Sequence, residues 1–209
     1  MKCKICELRK PRRWCPGVRG DICSQCCGTQ REVTVDCPFE CEYLRQAWQH
    51  EKPPQVNTEQ IPNRDIRLTD EFIREQEGLI TRLGVFLLEA ALEVPGAVDS
   101  DVREALEALI RTHRTLASGL YYETRPANPL ASTVQQAFQK RVQDLREKLL
   151  KNGQPSVRDA DILGALAFLQ LLGLRHDYGR PRGRPFLGFL HSMFPETQPA
   201  PETGMLIRT

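Results

Sequence analysis

All eight cysteines of this 209-residue chain fall within its first 41 positions: Cys3, Cys6, Cys15, Cys23, Cys26, Cys27, Cys37 and Cys41. A segment that short cannot bury a core sufficient to fold unaided, so its thiols must supply cross-links. In a reducing compartment, clustered thiols bind metal more readily than they form disulfides or a dithiol redox pair. The N-terminal segment, residues 1–50, therefore reads as a zinc-binding module.

The spacing assigns the ligands. Cys3-x2-Cys6 and Cys23-x2-Cys26 are two tight chelating loops separated by sixteen residues. Zinc prefers four sulfurs at tetrahedral angles, commonly as two such pairs, and this separation suits a shared ion. The first site is Cys3, Cys6, Cys23 and Cys26, with Cys27 as the alternative to its neighbour Cys26. Cys15, Cys27, Cys37 and Cys41 remain for a second site. Pro38 suggests a helix start, with Phe39, Tyr43, Leu44, Ala47 and Trp48 on its apolar face and Cys37 and Cys41 one turn apart. The interleaved order predicts a treble-clef or cross-braced module holding two zinc ions, with a single ion as the alternative. With all positions filled by thiolates such sites are structural.

The run Cys23-Ser-Gln-Cys26-Cys27-Gly28-Thr29-Gln30-Arg31-Glu32-Val33, followed by Asp36-Cys37-Pro38-Phe39-Glu40-Cys41-Glu42-Tyr43-Leu44, resembles the opening segment of a group of uncharacterised bacterial proteins. These pair a Cys-rich, zinc-ribbon or treble-clef-like head with a helical body. The resemblance covers about the first fifty residues; it implies a bacterial zinc-binding protein and brings no substrate with it.

Two basic runs raise the question of nucleic acid. Arg9, Lys10, Arg12 and Arg13 sit beside Trp14, a combination that can grip phosphate and stack on a base. Arg180, Arg182 and Arg184, within Arg180-Pro181-Arg182-Gly183-Arg184-Pro185, match the core of an AT-hook, an extended strip for a narrow A·T minor groove. Against this, an apolar stretch follows at once from Phe186, which favours a plain loop between two helices. Residues 1–50 hold nine Lys/Arg and six Asp/Glu, a net +3. Two tetrathiolate zinc centres, each −2, would bring the module to −1, which weakens the electrostatic case. The whole chain is only +2.

Beyond the module, residues 51–67 are polar and proline-containing and read as a linker. Residues 68–194 carry apolar residues at three- and four-residue steps, which predicts an all-α bundle of about five helices. One stripe runs Phe72, Leu79, Leu83, Phe86 and Ala90, interrupted at Gln76; a second runs Val102, Leu106, Leu109, His113 and Leu116. A third runs Val134, Phe138, Val142, Leu145 and Leu149, ended by Asn152-Gly153. A fourth helix, begun by Ser156-x-x-Asp159 and ended at Gly173, is apolar nearly all round from Ile162 to Leu172, so it should sit centrally. A short fifth spans 185–194. Residues 195–209 read as a disordered tail.

His50, His113, His176 and His191 form no metal-binding or nucleophile-activating pattern. His113 lies on an apolar stripe and reads as core, and the pair Tyr121-Tyr122 as packing. No run is apolar enough to span a membrane, and Met1-Lys2-Cys3-Lys4 opens no leader or lipid anchor, so a cytoplasmic protein is expected. The expected function is non-enzymatic: a zinc-binding interaction or regulatory protein that presents a recognition surface to another protein. A nucleic-acid-binding regulator is the alternative, and an enzyme with a site inside the bundle a weaker one. Chelation should then unfold residues 1–50 and spare the helices.

Overall fold

The N-terminal segment is built on two tight loops and one hairpin. In this computed structural model, which describes residues 1–194 apart from 53, 58 and 60, β1 (Arg13–Cys15) pairs antiparallel with β2 (Gly20–Ile22), Trp14 facing Asp21. Pro16-Gly17 supplies the turn chemistry between them. Two short helices follow, α1 (Ser24–Gln30) and α2 (Glu42–His50). The stretch Glu32-Val33-Thr34-Val35, strand-like by composition, is a turn closed by an isolated bridge between Arg31 and Val35. Ile22, Val35, Leu44 and the cysteines make the small core here.

The remaining helices are α3 (Asp70–Glu75), α4 (Glu77–Leu92), α5 (Asp99–Ala117), α6 (Pro129–Lys151), α7 (Asp159–Arg175) and α8 (Pro185–Met193). The expected first helix is two, because the chain breaks at Gln76 (φ −101°, ψ 13°) where the apolar stripe is interrupted. Thr69 Oγ1 accepts from the Phe72 N–H and Asn128 Oδ1 from the Leu130 N–H, so α3 and α6 carry side-chain caps. Gly153, at φ +66°, follows α6 as the left-handed residue its Asn-Gly signal predicts.

Helices α4 to α7 form the bundle, and α7 runs through its centre. Ile162, Ala165, Leu166 and Leu169 of α7 are buried among Leu83 and Leu87 of α4, Leu106 and Leu109 of α5 and Phe138 of α6. Its start differs from expectation: Arg158 takes the N-cap position without a side-chain cap, and Ser156 plays no part in one. Gly173 does not end α7 either; it lies inside the helix, facing the Phe186 ring of α8 at a distance that would also accommodate a Cβ. The N-terminus of α8 is capped from a distance, since Asp99 accepts from the N–H groups of Phe186 (2.7 Å) and Leu187 (3.1 Å).

The Cys-rich module is packed onto this bundle. Phe39 belongs to the bundle's core cluster, and Trp48 of α2 packs against both cores. Part of the expected linker is also fastened down. Asn63 donates to Gln170 Oε1 (2.8 Å) and accepts from Arg114 (2.8 Å), Arg114 also pairs with Asp65, and Ile66 packs on the core. Residues 195–209, expected to be a disordered tail, lie outside the described residues. Among the described residues no helix is long and apolar enough to cross a membrane.

Candidate metal centre

The two Cys-x2-Cys loops meet. The sulfurs of Cys3, Cys6, Cys23 and Cys26 all lie within 4.8 Å of one another, and no other such group of three or more ligand side chains occurs among the described residues. Four sulfurs around one zinc sit about 3.8 Å apart, given Zn–S of about 2.3 Å, so the cluster has the size a tetrahedral ion needs. All eight cysteines are free thiols.

Local backbone explains the convergence. Cys23 stands at the N-cap of α1, with its Sγ accepting from the Cys26 N–H (3.4 Å), and this turn aims both sulfurs the same way. Cys3 Sγ accepts from the Cys23 N–H (3.2 Å), which ties the first loop to the second. These N–H groups favour thiolate. Burial raises the Cys3 thiol, but the N–H groups of Cys6, Cys23 and Ile5 outweigh it and bring the thiol from 9.0 down to about 6. Cys6 is lowered by the N–H groups of Arg9 and Leu8. Cys26 is pushed up to about 12, first by burial and then by the neighbouring sulfurs of Cys23, Cys6 and Cys3. A cation at the centre would remove that conflict, because it stabilises all four thiolates together.

Cys15, Cys27, Cys37 and Cys41 share the same small core but do not form such a cluster. Burial raises the Cys37 thiol to about 11, and Cys41 and Cys15 are among the groups whose charge adds to that rise. The helix thought to carry Cys37 and Cys41 begins later than Pro38 suggested. Cys41 is the N-cap of α2, its N–H donating to the Pro38 carbonyl (3.0 Å), and Cys37 lies in irregular chain just before that turn.

The basic residues divide. Arg9, Lys10 and Arg12 are exposed and make no ion pair among the described residues, and Trp14 beside them is 61% exposed. Arg13 is used inside the module: its guanidinium lies 3.9 Å over the Tyr43 ring, with Nη1 3.8 Å from Cys27 Sγ. Arg180, Arg182 and Arg184 face inward on the module. Arg180 Nη1 donates to Glu32 Oε2 (3.0 Å) and Arg180 also pairs with Glu51. Arg182 grips Asp36 through two bonds (2.5 and 2.6 Å), and the Arg184 guanidinium lies 4.1 Å over the Phe39 ring. The AT-hook-like strip is thus the loop between α7 and α8, folded against residues 32–39.

Glu32 was not singled out by the sequence. It is 1% exposed, has φ +54°, and accepts from Trp48 Nε1 (3.2 Å), the Arg184 N–H (3.0 Å) and Arg180, while its carbonyl takes the Arg182 N–H. His113 is buried, with Nδ1 3.0 Å from Asp159 Oδ1. Tyr121 and Tyr122, expected to pack, are exposed on the loop between α5 and α6. Comparison with family models, with curated proteins and with solved structures returned no match for this chain.

Proposed function

We propose that residues 1–50 hold two structural zinc ions and that the protein is a non-enzymatic interaction or regulatory protein, whose module is recognised by another protein. The observation that carries this reading is the convergence of Cys3, Cys6, Cys23 and Cys26. A zinc ion with four thiolates has no open position for substrate, which favours a structural role. Cys15, Cys27, Cys37 and Cys41 would take the second ion, drawing together on binding in a treble-clef or cross-braced arrangement. Leu8, Trp14, Val33 and Tyr43 are exposed large apolar side chains on the module. Such residues suit protein recognition when a rigid frame holds them.

Affinity purification tests this reading with the intact chain and a Leu8→Ser/Trp14→Ala variant. A protein partner should be retained by the first and lost by the second, at unchanged metal content and helicity. Equal retention contradicts it.

A nucleic-acid reading keeps one specific support, the cations Arg9, Lys10 and Arg12, which make no ion pair among the described residues, beside exposed Trp14. It would show as nucleic acid that co-purifies and is released by salt.

A further inference from the structure

Between the module and the bundle lies a cavity of about 560 Å³. Phe39 and Trp48 wall it from the module, and His176, Tyr178, Phe189 and His191 from the bundle. The rings are organised in pairs. His176 stacks on Phe189 with centroids 4.5 Å apart, and His191 stacks on Phe39 at 5.2 Å. The volume falls inside the usual range for small-ligand sites, roughly 300–1,000 Å³.

The polar groups of this cavity are unspent. Among the described residues, the ring nitrogens of His176 and His191, the Tyr178 hydroxyl and the Gln49 amide make no hydrogen bond, and Arg45 and Glu40 make no ion pair. Burial lowers His176, which keeps its imidazole neutral at pH 7, with one nitrogen a donor and the other an acceptor. His176 and Tyr178, half-buried, and the exposed Gln49 amide therefore offer the cavity both donors and acceptors. Arg45 and Glu40 are exposed and of opposite sign.

These features discriminate between ligand classes. An aliphatic compound would strand several polar groups without partners. A polyphosphate would need more cation than Arg45 provides, with Glu40 also lining the cavity. A planar ring fits, because it can stack on the aromatic walls while its edge meets both donors and acceptors. We infer that the cavity between module and bundle is a binding site for a planar heteroaromatic molecule of nucleobase to nucleoside size. Occupancy would bridge α2 and α8, so the ligand would strengthen the contact between the two parts of the chain.

The site is separate from the 9–14 run, and its failure would leave the metal and partner readings intact. The test is isothermal calorimetry of the full chain with adenosine, guanosine, cytidine and uridine, with glucose as a non-planar control. At least one nucleoside should bind at one site per chain with Kd below roughly 1 mM, and glucose should not. Ser192→Phe, at an exposed cavity-lining position on α8, should weaken binding at least about tenfold by filling the space. Gln49→Ala, on the module side, should weaken it too while leaving helicity unchanged. Trp14→Phe leaves Trp48 as the single tryptophan, whose fluorescence should then respond to the ligand. No nucleoside binding at millimolar concentration, comparable glucose binding, or unchanged affinity in Ser192→Phe overturns the inference.

Discussion

Glu32 Oε2 and Arg180 Nη1 lie 3.0 Å apart, joining residues 148 positions distant in the chain. The Glu32 side chain is 2% exposed and the Arg180 side chain 24%, so the pair is largely removed from water. Without the Glu32 carboxylate, Arg180 keeps only Glu51 as a partner, and the Trp48 Nε1–H and the Arg184 N–H lose their acceptor in a buried place. Glu32→Ala should therefore lower stability by about 3 kcal/mol. Chemical denaturation read by far-UV circular dichroism checks the value, and a loss below about 1 kcal/mol would place the pair among solvent-screened contacts.

Gly188 of α8 sits against Trp48 so closely that a Cβ would run into the indole ring. Gly188→Ala should cost about 1–3 kcal/mol through overpacking. Gly28, inside α1, has nothing within 4 Å of its Cβ position, so Gly28→Ala should be neutral or slightly stabilising. Paired thermal melts of the two variants measure the difference.

Asp99 is raised to about 7, chiefly by burial, although the N–H groups of Phe186 and Leu187 pull the other way. Between 3.8 and 7 the folded chain thus holds more proton at this group than the unfolded chain. The contribution of Asp99 to stability must then fall as pH rises through that window, by at most about 1.4 kcal/mol per pH unit. Asp99→Asn should flatten the slope between pH 5 and 7, as read by denaturant midpoints of both proteins across roughly that range. An identical slope would refute the assignment.

The two parts of the chain share Phe39 and Trp48 and are tied by Glu32, Asp36 and Glu51. Chelation is therefore expected to do more than unfold residues 1–50. Helical signal should persist at low temperature, while the thermal midpoint of the helices falls by several degrees, in keeping with about 1–2 kcal/mol of lost docking energy. Circular dichroism melts with and without chelator decide it.

The Cys3, Cys6, Cys23 and Cys26 cluster was legible because a Cys-x2-Cys spacing dictates a local turn, and two such turns need only one closure. The helix periodicities were legible for the same local reason, including the interruption that became the break at Gln76. The joint between module and bundle was not. Phe39 and Trp48 read as the inner face of one helix, yet Phe39 lies in the preceding turn and both cross to the bundle. Arg180 to Arg184 read as a loop or a nucleic-acid strip, because nothing local shows that Glu32 and Asp36 will face them. Three-residue strands such as β1 and β2 are too short for alternation to register.

The central claim is that the sulfurs of Cys3, Cys6, Cys23 and Cys26 enclose a metal ion. Its most direct test is metal content by plasma mass spectrometry on protein purified under reducing conditions, for the intact chain, Cys3→Ser and Cys37→Ser. The account predicts two zinc ions per chain for the intact protein and one for Cys37→Ser, with Cys3→Ser losing the ion of the first site. Absence of bound metal from the intact chain, or metal content unaffected by Cys3→Ser, would contradict it.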